Sequence, residues 1–309
     1  MALSNQIWVF NSAMSVPQRI AITGASGLIG TALVGHLKSE GHTVQRLVRR
    51  VPVAADEVQW DPQTGFVDLE PLRGVDAIIH LAGVGVGDKR WNKKYKSEIL
   101  NSRLLGTTAI ALAVAEVKPQ VFISASAIGW YGESGNRAVV ETDRAGDDFL
   151  AAVCREWEAA ADLAGQTRII KIRTGLVLDP TGGALGKMLP LFRLGLGGKM
   201  GNGKQWWSWI TLHDQIRAIV FALENPISGP VNMTAPNPVT NQEFTSALAR
   251  AMHRPAVFPA PAIALKIALG GFSSEVLGSK RVIPHVLQEA GFTWDYPHIS
   301  EALAQLVED

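Results

Sequence analysis

Apolar positions along the chain switch between short dense runs and longer stretches at helical spacing. Residues 19–23 read as a first strand, and residues 28–40, with Ile29, Leu33 and Leu37 on one face, as the helix after it. A second strand is expected over 43–48. The unbroken run DAIIHLA at 76–82 has the character of a strand buried on both faces. A long helix is expected over 92–116, a strand over 120–126, a helix over 148–164 and a strand over 168–177. This alternation predicts an α/β fold built on a doubly wound parallel sheet.

Beyond Leu178 the rhythm changes. Residues 182–203 are glycine-rich, three tryptophans crowd 206–209, and prolines cluster between 255 and 261. Helices are expected at 241–252 and 301–308. The expected organisation is a loosely held leader at 1–18, a sheet domain at 19–178 and a smaller lobe at 179–309, some of whose elements return to the first domain. The lobe is expected to pack over the C-terminal edge of the sheet and cover a substrate.

The sharpest local signal is Thr23-Gly24-Ala25-Ser26-Gly27-Leu28-Ile29-Gly30, a G-x-x-G-x-x-G pattern between a strand and a helix. The first glycine permits a sharp turn, the second lets the backbone approach a pyrophosphate, and the third lets helix and strand pack closely. The helix N-terminus then offers unpaired N–H groups and partial positive charge to phosphates. Such a turn between a first strand and helix predicts a Rossmann-type domain that holds a dinucleotide. At the end of the second strand the chain carries Val48-Arg49-Arg50 where NAD-binding proteins place an acid for the ribose hydroxyl. A guanidinium suits a 2′-phosphate, so NADP(H) is expected rather than NAD.

Composition narrows the partners. Over 309 residues the formal net charge is +1, which gives no field for nucleic acid or an anionic membrane. No segment holds the roughly twenty apolar residues of a bilayer span. The one cysteine, Cys154, excludes an intramolecular disulfide and a cysteine metal cluster, and fits a reducing cytoplasm. The seven histidines fall into no ligand spacing, so no metal is expected.

TGASGLIG, DAIIHLAG, SASAIGWYG, RTGLVL and WITLHDQ, in this order, resemble the extended short-chain dehydrogenase/reductases, a superfamily that includes the nucleotide-sugar epimerases. Trp60-Asp61-Pro62, Arg90-Trp91, Ser102-Arg103 before Gly106-Thr107, Trp157-Glu158, Arg281-Val282-Ile283-Pro284 and Gly291-Phe292 are more closely similar to its atypical branch of epimerase-family, or cell-division-inhibitor-like, proteins. The resemblance covers residues 19–306. It implies that Gly24, Gly27, Leu28, Ile29 and Gly30 line the pyrophosphate, that Arg49 meets the 2′-phosphate, and that His80, Leu81 and Ala82 run beside the adenosine half. It also implies that Arg103 lies on a helix beneath the cofactor with Glu98 upstream, and that Val177 sits near the nicotinamide. A single histidine on a buried strand is otherwise a core residue, and that alternative stands for His80.

Active members of the superfamily use a Tyr-x-x-x-Lys pair on one helical face for proton transfer. The matching positions here are Leu150 and Cys154, and the relay asparagine three residues before Gly-Thr is Arg103. Ser126 remains in the place of the active-site serine, followed by Tyr131. Either these two carry residual chemistry, with Ser126 polarising a carbonyl and Tyr131 acting as acid, or they cap and pack. Trp206, Trp207 and Trp209 offer a platform for a flat ring or a place in the core. Lys187, Arg193 and Lys204 are candidates for a substrate anion. The leading expectation is an NADP(H)-binding, epimerase-family oxidoreductase acting by hydride transfer on a small polar, nucleotide-sugar-like substrate, with homodimerisation open. The alternative is a catalytically reduced NADP(H)-binding regulatory or redox-sensing module.

Overall fold

The computed structural model describes residues 16–308, so most of the expected leader lies outside the described residues. In chain order the first half contains β1 (Arg19–Thr23), α1 (Leu28–Ser39), β2 (Thr43–Val48), β3 (Glu57–Asp61), β4 (Phe66–Val67), β5 (Ala77–His80), α2 (Lys93–Val117), β6 (Val121–Ala127), β7 (Ala138–Val139), α3 (Phe149–Ala161) and β8 (Arg168–Thr174). There follow β9 (Leu176–Asp179), α4 (Gly183–Arg193), β10 (Trp206–Trp207), β11 (Trp209–Thr211), α5 (Leu212–Glu224), β12 (Gly229–Met233), β13 (Val239–Thr240) and α6 (Asn241–Ala251). The chain closes with α7 (Ala262–Leu269), α8 (Ser273–Leu277), β14 (Arg281–Val282), α9 (His285–Glu289) and α10 (Ile299–Val307).

Eight strands form the main sheet in the order β12-β8-β6-β5-β1-β2-β3-β4, parallel throughout except at the β3–β4 edge. This is a Rossmann-type sheet. Its direction of winding reverses between β1 and β5, and such a switch point opens a crevice at the C-terminal ends of the strands.

Alternate strand residues feed opposite faces. Ile20, Ile22 and Ile79 join Leu33 and Leu37 of α1 and Ile216 and Ile219 of α5 in one core. Ala21 and Ile78 join Ile110 and Val114 of α2 in the other. A third core, with Leu185, Leu189, Trp209, Phe244, Leu248 and Leu303, holds the C-terminal elements together.

The strand expected over 168–177 proves to be two. A Cβ on Gly175 would fall 2.7 Å from Ser208 O and 2.8 Å from Thr234 Cγ2, so the chain bends there. β9 then leaves the main sheet to pair with β11. β12 returns to the far edge beside β8, and α5 covers the first face. β3, β4 and β12 were not anticipated; in β3 the five residues EVQWD mix charged and apolar positions beside the short edge strand β4.

Candidate functional site

The glycine turn is held by steric necessity. Gly24 has φ +70°, and a Cβ there would meet the Leu81 carbonyl carbon at 2.8 Å and the Ala82 nitrogen at 2.9 Å. A Cβ on Gly30 would lie 2.1 Å from Gly24 O. Gly27 stands at the N-cap of α1, whose first turn has no side-chain cap and no acidic residue. The leading amides of α1, from Leu28 through Gly30, are therefore available to an anion.

Thr23 fastens this turn to the neighbouring strand. Its Oγ1 accepts from Leu81 N (3.1 Å) and Ala82 N (3.3 Å), so its own proton goes to His80 Nδ1 at 2.7 Å. His80 is fully buried, edge-on to Trp60 with ring centroids 5.9 Å apart, and burial pushes its pKa down to about 3. The imidazole expected beside the adenosine half is thus turned into the core as a neutral clip. What flanks the turn at that point is the backbone of Leu81 and Ala82.

The two arginines after β2 divide in role. Arg50 forms a bidentate pair with Glu57, at 2.7 and 2.6 Å. Its guanidinium, ahead of the Val53 N–H, holds the Glu57 carboxyl well below the usual range. Arg46 is likewise paired with Asp56. Arg49 is exposed and has no hydrogen bond or ion pair among the described residues. Thr23 is in register with Leu47, so Arg49 follows just past the end of β2 on the phosphate-turn side of the sheet.

After β5 the chain enters a loop whose successive carbonyls are each bonded to a side chain. Arg103 Nη1 donates to Val84 O at 2.9 Å, the Tyr95 hydroxyl to Gly85 O, Trp91 Nε1 to Val86 O at 2.7 Å, and Lys187 Nζ to Gly87 O at 3.2 Å. Ser102 Oγ accepts from Val84 N at 3.2 Å. Arg103 also donates to Ile99 O (3.2 Å) and lies over the Trp157 ring at 4.7 Å. Glu98, expected near the cofactor, is given to this loop instead, 3.4 Å from Lys89.

The expected acid–base positions hold no proton carrier. Leu150 is packed with Trp91, Tyr95, Ile99 and Val153. Cys154 is buried, its Sγ 3.6 Å from Ala127 O, and burial pushes its pKa up to about 12. Ser126 and Tyr131 are brought together, but away from the role proposed for them. Ser126 Oγ donates to Glu158 Oε1 at 2.6 Å, and Glu158 forms a bidentate pair with Arg173 at 2.8 and 3.0 Å. Arg173 Nη1 donates to the Tyr131 hydroxyl, which donates to Asn232 Oδ1 at 2.7 Å. Tyr131 is 3% exposed, and burial raises its pKa. Both hydroxyls are therefore spent in a buried network, and neither is presented to a carbonyl. Sequence reasoning placed Glu158 in a family motif but gave neither it nor Arg173 a role in the site. The signal was a charge, Arg173, inside a strand run buried on both faces, which requires a partner.

The start of α4 lies beside the turn. Gly182 and Gly183 lie against the Leu28 side chain, and a Cβ on Gly183 would stand 3.4 Å from the Val177 carbonyl oxygen. The tryptophans make no platform. Trp209 is fully buried, Trp207 packs on Phe244, and Trp206 lies under the Arg281 guanidinium. Arg193 and Lys204 are exposed at the surface. His213, Asp214 and Asp295 cluster, but Asp214 is occupied by Arg217 and by the amides of Asp295 and Tyr296, which ties α5 to the C-terminal segment. No helix among the described residues is long and apolar enough to cross a membrane.

A reversing parallel sheet, with a glycine turn clipped at its switch point and an uncapped helix behind it, defines the Rossmann class of dinucleotide-binding folds. The NAD dependent epimerase/dehydratase family matches residues 20–234, and the chain belongs to it. A domain of unknown function matches residues 260–306. An epimerase family protein of Mycobacterium leprae is 45% identical over 290 residues, covering 92% of this chain and 94% of its own. The chloroplastic SDR39U1 homolog of Arabidopsis thaliana is 36% identical over 301 residues, covering 94% and 86%. The human epimerase family protein SDR39U1, solved with NADPH, superposes with a TM-score of 0.87 at 33% identity, covering 94% of this chain and 99% of that one.

Proposed function

We propose that this protein binds NADP(H) and passes hydride between it and a small polar substrate. The observation that carries the cofactor choice is the difference between Arg49 and Arg50. One guanidinium is neutralised by Glu57, and its neighbour is left exposed where a 2′-phosphate would arrive. The residues fit the dinucleotide elsewhere too. A Cβ would obstruct the turn at Gly24 and Gly30, and the first turn of α1 leaves its amides for the pyrophosphate. Leu28 and Val177, with Gly182 and Gly183 above, would shield the cleft from water. When bound, the nicotinamide supplies the hydride chemistry, and the protein supplies position and electrostatics. The human relative solved with NADPH supports the same choice.

The test is a titration with NADPH and NADH, repeated with Arg49→Ala. Loss of a charge-assisted phosphate contact should weaken NADPH about ten- to a hundredfold and leave NADH nearly unchanged. Equal affinities for the two cofactors in the unaltered protein would refute the assignment.

A second reading is favoured by one observation: the side chains at the pair positions, Leu150 and Cys154, carry no usable proton, and Ser126 and Tyr131 are sequestered. On that reading the protein is an NADP(H)-binding module that reports redox state. Oxidation of bound NADPH by a panel of carbonyl compounds separates the two, since a reporting module shows none.

A further inference from the structure

Among the described residues, burial is the largest influence on the guanidiniums of Arg103, Arg168 and Arg173, and each is compensated differently. Arg173 has the Glu158 carboxylate, the Tyr131 hydroxyl and Glu141 O. Arg168 spends Nη1 and Nη2 on the carbonyls of Ala222, Leu223, Asn225 and Ile227 at the end of α5, where the helix carries partial negative charge. Arg103 has neither. Its Nη1 meets two carbonyls, its plane rests on Trp157, and no carboxylate lies within ion-pair distance among the described residues. Burial is the largest influence on it and lowers its pKa. A guanidinium presents five donors, so most of the fork is unspent.

The groups that act on its charge are Cys154 and Tyr95, and the Asp88 carboxylate on the same loop sits against Gly85 and does not act on it. Cys154 stays a neutral thiol, Glu98 is paired with Lys89, and Glu158 is paired with Arg173. Gly83 contributes only backbone beside it, with its Cβ position 3.7 Å from Arg103 Cγ and Cζ. Arg103 thus lies beyond Ala82, past the turn that Gly24 makes against the end of β5.

We propose that Arg103 binds an oxyanion, a carboxylate or phosphate carried by the substrate, at the floor of the cleft. This rests on the NADP(H) reading above, which gives the dinucleotide's own phosphates to α1 and Arg49 and so leaves this cation for another ligand. The side chain is a binding group and takes no part in proton transfer. The substrate class it implies is a small anion, held by a planar fork on an aromatic face.

The experiment follows thermal stability of the NADPH-loaded protein against inorganic phosphate and against benzoate, at matched ionic strength, to give an apparent affinity for each. The two probes separate phosphate from carboxylate. Arg103→Gln should weaken the preferred probe about ten- to a hundredfold and leave NADPH affinity unchanged. Tyr95→Phe removes a neighbouring bond to the same loop without touching the charge, and should keep the affinity. Equal losses in Tyr95→Phe and Arg103→Gln would overturn the proposal, because the effect would then come from the loop. It is also overturned if neither probe stabilises the unaltered protein, or if Arg103→Gln weakens NADPH instead. Should Arg103→Gln not fold, Arg103→Lys keeps the charge and loses the fork, and undiminished affinity in it overturns bidentate capture. If the unaltered protein takes up no NADPH, the proposed function fails, and the same titration of unloaded protein still decides Arg103.

Discussion

Lowering the pH from 7.5 to 5 should cost the fold about 2 kcal/mol through His80 alone. In the unfolded chain this imidazole titrates at its ordinary 6.5, and in the folded protein burial holds it to about 3. Below 6.5 the unfolded state therefore takes up a proton that the folded state refuses. Stability falls as pH drops through that window and levels off near the folded value. At about 1.4 kcal/mol per unit, the full span is worth about 5 kcal/mol, and the part reached by pH 5 about 2. The contacts agree with the direction. The Thr23 hydroxyl already accepts two backbone amides and must donate to Nδ1, while Nε2 is enclosed without a partner among the described residues. A second proton would have no acceptor.

Urea unfolding at several pH values between 7.5 and 5 measures the effect, with His80→Asn as the reference. Asparagine keeps a polar atom for Thr23 and does not titrate. The difference in slope between the two proteins isolates His80 from His36, whose pKa burial also lowers. The depressed carboxyls of Asp56 and Glu57 lose their contribution only below their ordinary values, under this window. A slope unchanged in His80→Asn would refute the reasoning.

Gly30→Ala should abolish cofactor binding and lower the melting temperature, because its Cβ would be driven to 2.1 Å from Gly24 O and the turn must open; unaltered NADPH affinity in a melting and titration experiment would count against it. Glu158→Gln leaves the buried Arg173 unmatched and should destabilise by about 3–5 kcal/mol in denaturant unfolding. A loss below about 1 kcal/mol would mean that the network relaxes around a neutral partner.

Strands β1, β2, β5, β6 and β8, the turn and helix α1 were legible because each is written in consecutive residues: a dense apolar run, a glycine spacing, a helical stripe. Arg49 was legible by position, but what distinguishes it from Arg50 is Glu57, on a neighbouring strand that its own pattern did not reveal. The fates of Ser126 and Tyr131 were illegible for the same reason. Their partners Glu158 and Asn232 stand 32 and 101 residues away, and local pattern cannot pair polar atoms across such distances. The break at Gly175 depends on Ser208 and Thr234 crossing behind it, so a single run of apolar residues concealed two strands. For His80 the core-residue alternative stood open beside the place along the adenosine, and its full burial agrees with that alternative.

The loop after β5 is gripped by its main chain. Arg103, Tyr95, Trp91 and Lys187 recognise carbonyls, which every amino acid possesses. Those bonds ask nothing of the loop's own side chains, although Val84 and Val86 add packing against Trp91 and Tyr95. Much of the specification of the loop is thus stored outside it, in α2, in Trp91 near its end and in α4. A search for the site among relatives does better to follow those donors than the loop they hold.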